Sequence, residues 1–134
     1  MNRVCLILLM SFGFMGCFLE KKHCEEMTTK TLAEKYSLIL NSKPESSYRD
    51  GVFYYELQGR DLKTQKDTLI RVYNYRWHDI FEYYWDKGDT LIKQKESLIV
   101  EIHKKDIIYY MEWNCKQPLI NGIPSVNVTP PIPR

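Results

Sequence analysis

From Val52 onward, apolar residues recur at alternate positions in short runs set off by turn residues. Phe53, Tyr55 and Leu57 alternate with more polar neighbours until Gly59-Arg60-Asp61 breaks the run. Alternation of this kind sends successive side chains to opposite faces of a strand. Leu69–Trp77 reads as a second strand and Ile80–Trp85 as a third, and Asp86-Lys87-Gly88-Asp89 as a turn. Leu91–Lys95 is a shorter, more polar strand. Leu98, Val100 and Ile102 then alternate with Ile99, Glu101 and His103, Lys104-Lys105-Asp106 turns the chain, and Ile107–Trp113 closes the series.

Ahead of these strands the period changes. Leu32, Tyr36, Ile39 and Leu40 fall at i, i+4, i+7 and i+8, a spacing that predicts a helix of about three to four turns packed on one side. Thr31-Leu32-Ala33-Glu34 has the form of a capping box, with Thr28 or Thr29 as earlier starts, and Asn41-Ser42-Lys43-Pro44 is the stop. Short connections between the strand-like runs leave no helix for parallel crossovers. The predicted class is therefore α+β: one N-terminal helix on a twisted antiparallel meander of about five to six strands. Asp-Thr-Leu-Ile followed by a basic residue occurs at 67–71 and again at 89–93, which reads as a turn entering a strand. Past Cys115, the prolines at 118, 124, 130, 131 and 133 predict an extended, irregular tail over 118–134.

The first residues have another grammar. Arg3 precedes an apolar run from Val4 to Gly16, the layout of a secretory signal peptide with a small residue at the cut. An uncleaved spanning helix wants about 20 apolar residues, and this run is shorter and contains Gly13 and Gly16. A buried helix of the fold would carry polar residues at helical spacing, and only Ser11 interrupts.

Phe14-Met15-Gly16-Cys17 resembles the lipobox of bacterial lipoproteins. It matches at Gly16 and Cys17 and departs at Phe14, where Leu is usual, and at Met15, where a small residue is usual. The resemblance implies that residues 1–16 are removed, that Cys17 carries the lipid, and that 17–27 form a tether to a domain at 28–117. It also implies anchoring in the outer membrane facing the periplasm, because Phe18 rather than Asp follows the cysteine. With Cys5 in the leader and Cys17 acylated, Cys24 and Cys115 are left as a disulfide pair in an oxidising compartment. The stretch from Trp85 to Cys115 is also similar to small lipoproteins of Bacteroidota of unknown role. That similarity transfers no catalytic residue.

Removing 16 of the 134 residues leaves 118, enough for one domain. Losing Arg3 leaves 18 basic against 17 acidic residues, a balance that disfavours nucleic acid as a partner. His23, His78 and His103 have no metal-ligand spacing, and the serines lack a nucleophile-elbow context, so neither metal nor cofactor is expected. Glu56, Glu82, Glu101 and Glu112 all fall in strand-like runs and are the residues a small hydrolase would use. The aromatic residues point instead to binding. Tyr54, Tyr73, Tyr75, Trp77, Tyr84, Trp85 and Tyr110 are the candidate face, since tyrosine and tryptophan combine broad apolar area with a polar handle. The expected function is a lipid-anchored module with a protein partner, an immunity-type protein in its specific form. An envelope assembly or maintenance factor and a small hydrolase are the alternatives.

Overall fold

A computed structural model describes residues 21–72 and 81–129. The cleavage and lipidation positions up to Cys17 lie outside the described residues, as do Tyr73, Tyr75, Trp77, His78 and the last five residues of the tail. Residues 21–33 are helical (α1). Nine strands follow: β1 Tyr36–Leu40, β2 Glu45–Arg49, β3 Val52–Asp61, β4 Asp67–Val72, β5 Thr90–Lys93, β6 Ile99–His103, β7 Ile108–Glu112, β8 Leu119–Ile120 and β9 Ile123–Pro124. Among the described residues the architecture is one long helix on a large, wholly antiparallel sheet.

The helix begins earlier than its apolar spacing predicts, within the segment expected to be a tether. Lys21–Glu25 and Glu26–Lys30 pair at i,i+4 on its exposed side. Its inward side carries Cys24, Met27, Thr28 and Thr31, where a single apolar residue gives little periodic signal. Thr31 is not a cap. It is buried within the helix, and its hydroxyl donates to the Met27 carbonyl at 2.9 Å. Tyr36, Leu38 and Leu40, expected on the helix, alternate inward along β1 with Ser37 and Ile39 outward.

Strands β1 and β2 are one long strand interrupted by Asn41-Ser42-Lys43-Pro44, and both lie against β3. Pro44 has no N–H to give to a ladder, which fits its place in the break. A two-residue turn, Asp50-Gly51, joins β2 to β3 with φ of 51° and 80°. Positive φ at both positions is what a primed hairpin turn requires. Gly59 does not break β3. A β-carbon there would sit on the Ile39 carbonyl and 2.7 Å from Leu38 Cδ1, so glycine allows β1 and β3 to meet closely.

The sheet runs β4-β3-β1-β5-β6-β7-β8-β9, with β2 extending β1 alongside the first half of β3. It departs from a simple meander at one place: β5 pairs with β1 rather than with β4. The chain between β4 and β5 was expected to hold a strand at Ile80–Trp85. Glu82–Tyr84 instead form a single 3-10 turn, and Phe81, Tyr84 and Trp85 are all buried. A turn is free of the strand's strict alternation, so neighbouring rings point the same way.

One face of the sheet builds the core. Tyr36, Lys93, Val100, Met111 and Ile120 form a row across five strands, beside Leu38, Leu91 and Ile102. The helix and the Phe81–Trp85 segment complete that core, with Met27 packed against it. β5, read from the sequence as a shorter, more polar strand, lies mid-sheet with Leu91 and Lys93 inside. Cys24 is bonded to Cys115 across a sequence separation of 91, with Cα atoms 5.6 Å apart. Beside the bridge, Trp113 Nε1 donates to Thr28 Oγ1 at 3.3 Å. The tail does not stay irregular: Asn121-Gly122 turns it into the β8–β9 hairpin, and Ile120 is buried.

Candidate functional site

The sheet's second face has no helix over it among the described residues. An antiparallel sheet with one solvated face ordinarily carries polar side chains there. Here the outward positions include Ile39, Ile92, Ile99, Ile108 and Tyr110. Two neighbouring rows show the arrangement: Ile39, Thr90, His103 and Ile108 in one, Ser37, Ile92, Glu101 and Tyr110 in the next. Ile108 and Tyr110 are 38% and 45% exposed, which is high for side chains in a sheet interior. Tyr110 is held in place by its backbone: its N–H donates to Asn121 Oδ1 at 2.8 Å, and its carbonyl accepts from the Asn121 N–H at 2.9 Å. His103 Nε2 and Glu101 Oε2 are 2.7 Å apart, a polar island between the two aliphatic rows.

Of the aromatic residues named from the sequence, Tyr110 is exposed on this face and Tyr54 is half-buried on it, three positions after the hairpin turn. Tyr84 and Trp85 do not belong to it. They are 1% and 0% exposed, and their rings meet Tyr109 and Tyr55 edge-on at 5.1 and 6.0 Å. Tyr73, Tyr75 and Trp77 are outside the described residues. Ile39 and Ile108 add exposed aliphatic side chains to this face beside Tyr110. The outward alternation of the isoleucines with Leu38, Leu91 and Val100 was legible, but a search for aromatic residues passed over it.

The four strand glutamates are not gathered. Glu56 accepts from Arg71 Nε at 2.9 Å, and that hydrogen bond, followed by the cation's charge, holds its carboxyl below the usual range. Glu82 accepts from the Tyr55 hydroxyl at 3.0 Å on the core side. Glu101 and Glu112 share the outer face as diagonal neighbours on adjacent strands. Among the described residues no group of three or more His, Cys, Asp or Glu is placed to hold a metal ion.

The core contains one ionic site that sequence reading missed. Lys93 is 1% exposed, and its ammonium donates to the carbonyls of Ser97 at 2.6 Å, Gln94 at 2.9 Å and Glu34 at 3.3 Å. Three carbonyls satisfy all three donors of the ammonium. They tie the end of α1 to the 94–97 loop, where the Glu96 N–H also donates to the Leu32 carbonyl. Burial pushes the Glu34 carboxyl up to about 7, with Lys93 opposing the rise. Burial lowers the Lys93 value, with Glu34 opposing, and lifts the Tyr36 hydroxyl well above the ordinary phenol range. Lys93 shares its strand face with Leu91, two positions earlier, and that parity was the available signal. A second clip closes the Asp86–Asp89 turn, where Lys104 Nζ donates to Asp86 Oδ2 at 2.8 Å and to Asp89 Oδ2 at 2.5 Å. Both lysines are engaged within the fold and hold loops in place, while Glu34 Oε2 is buried without a hydrogen-bond partner. No family model matches the chain, and neither a curated protein nor a solved structure is similar to it.

Proposed function

We propose that this chain is a lipid-anchored interaction module of the periplasmic side of the outer membrane, and that it offers the open face of its sheet to a protein partner. The observation that carries the binding reading is the apolar character of that face. Ile39, Ile108 and Tyr110 stay exposed where a solvated sheet would place polar residues. The Gly16-Cys17 junction supports the anchor. A Cys24–Cys115 bond accords with an oxidising compartment. An immunity-type role, in which the face caps one incoming toxin, fits a small domain whose strand glutamates are not gathered into one site.

Two measurements on the full chain test this reading. Metabolic labelling with a fatty-acid probe marks the wild type and fails on Cys17→Ser; label retained by that variant removes the anchor. Affinity capture from native membranes recovers one stoichiometric partner, and Ile108→Asp or Tyr110→Asp loses it while the circular dichroism stays unchanged. Capture indifferent to both substitutions removes the face.

A further inference from the structure

Strand β4 ends the sheet on one side, and the backbone on its outer edge is unpaired among the described residues. The phase of that edge follows from the ladder. Asp61 N–H donates to the Lys66 carbonyl on the β4 side of β3, and Asn41 N–H donates to the Gln58 carbonyl on the β1 side. With β3 and β4 in the register Gly59↔Thr68 and Leu57↔Ile70, residues 68, 70 and 72 bond to β3. The N–H and C=O groups of Asp67, Leu69 and Arg71 therefore point away from the sheet. Their side chains share its open face, and Leu69 is 45% exposed.

Natural sheets blunt such an edge with proline, lysine, a bulge or very short length. The far edge follows that rule, since β9 has two residues and one of them is Pro124. β4 is less protected: it has six residues in unbroken register and carries the charges of Asp67 and Arg71, but neither proline nor lysine.

We propose that β4 pairs with β4 of a second copy of this chain, antiparallel and centred on Leu69. The three outward residues select both partner and register. Centring on Leu69 places Leu69 opposite its own copy and sets each Asp67 opposite an Arg71 of the other chain. Centring on Asp67 or Arg71 would set like charges opposite one another, which is destabilising. Centring on Thr68 or Ile70 would still bring outward groups together, but it would set Leu69 opposite a charged residue, Asp67 or Arg71, and leave the charges unmatched. The Asp67-x-Leu69-x-Arg71 segment is thus self-complementary in charge about the same residue on which its free hydrogen-bonding groups are centred. Arg71 spends Nε on Glu56 and keeps its terminal nitrogens for a partner's Asp67. The two-fold axis is normal to the sheet, as an isologous pair requires, so both α1 helices lie on the same side of one continuous sheet.

The test uses the full chain in detergent solution. Wild type sediments at the dimer mass. Asp67→Arg and Arg71→Asp each sediment as monomers, because each sets like charges opposite one another. An equimolar mixture of the two variants returns to the dimer mass, because the charges then match across the axis. Amide exchange on the wild type gives a second readout that needs no variant. The amides of 67, 69 and 71 are slowed together with 68, 70 and 72 in concentrated solution and exchange fast on dilution. A wild type that remains monomeric throughout overturns the proposal. So does a mixture that fails to associate although both variants are folded, or fast exchange at 67, 69 and 71 at every concentration.

Discussion

Replacing Glu34 by glutamine removes a carboxyl that the fold holds in an unfavourable place. Its Oε2 is buried without a hydrogen-bond partner, and the neighbouring ammonium of Lys93 is directed at backbone carbonyls. The folded carboxyl titrates at about 7 against an ordinary 4.5. Below pH 4.5 it is protonated in both the folded and the unfolded chain and costs nothing. Between 4.5 and 7 the unfolded chain gives up its proton first, so stability falls as pH rises, and above about 7 the loss is complete. At roughly 1.4 kcal/mol per pH unit, the loss is capped at about 3 kcal/mol, and partial solvent access brings it nearer to about 2. Urea unfolding of wild type and Glu34→Gln from pH 4.5 to 8.5 measures it. The variant matches wild type at the acid end and exceeds it by about 2 kcal/mol at pH 8. Taking the difference cancels the histidines and the other carboxylates. Two curves that run parallel across the whole range would refute the argument.

Three other outcomes follow from the packing. The Cys24→Ser/Cys115→Ser double variant loses roughly 4–5 kcal/mol in urea unfolding by the loop-entropy argument, and amide exchange across residues 21–33 speeds up first. Gly59→Ala is destabilised by about 3 kcal/mol or more in the same assay, since its methyl group has to displace the β1 backbone or Leu38. Lys93→Met leaves three part-buried carbonyls without their donor and costs about 2–4 kcal/mol at pH 5; with the cation gone, the Glu34 titration followed by NMR moves still higher.

The antiparallel strands from β3 to β7 were largely legible, because alternation such as Val100-Glu101-Ile102 follows directly from burying one face. The helix was not. Its inward side consists mainly of Cys24, Thr28 and Thr31, held by a disulfide and hydroxyl contacts that leave no apolar period, while Leu32, Tyr36, Ile39 and Leu40 matched a helical stripe by coincidence. Tyr36, Leu38 and Leu40 fit period two equally well, and tertiary pairing with β3 and β5 decided between the two periods. The 81–85 segment misled for a related reason: its rings are aromatic enough for a strand, but the sheet has no place for one there. At the candidate site, the sequence identified Tyr110 and missed the isoleucine rows, whose meaning depends on which strands are neighbours. Lys93 escaped because a lone lysine in a strand ordinarily faces water, and only the loop carbonyls around it make its burial affordable.

The Cys24–Cys115 bond also determines how this molecule carries tension. A pull between any point before Cys24 and any point after Cys115 passes from one cysteine to the other through the sulfur atoms. The helix from Cys24 onward and every strand from β1 to β7 hang on that link as a closed covalent loop, outside the covalent load path. Force between the N-terminal segment and the tail would load residues 21–23 and the β8–β9 hairpin, whose Asn121 braces Tyr110, so the open face would feel it first at that end.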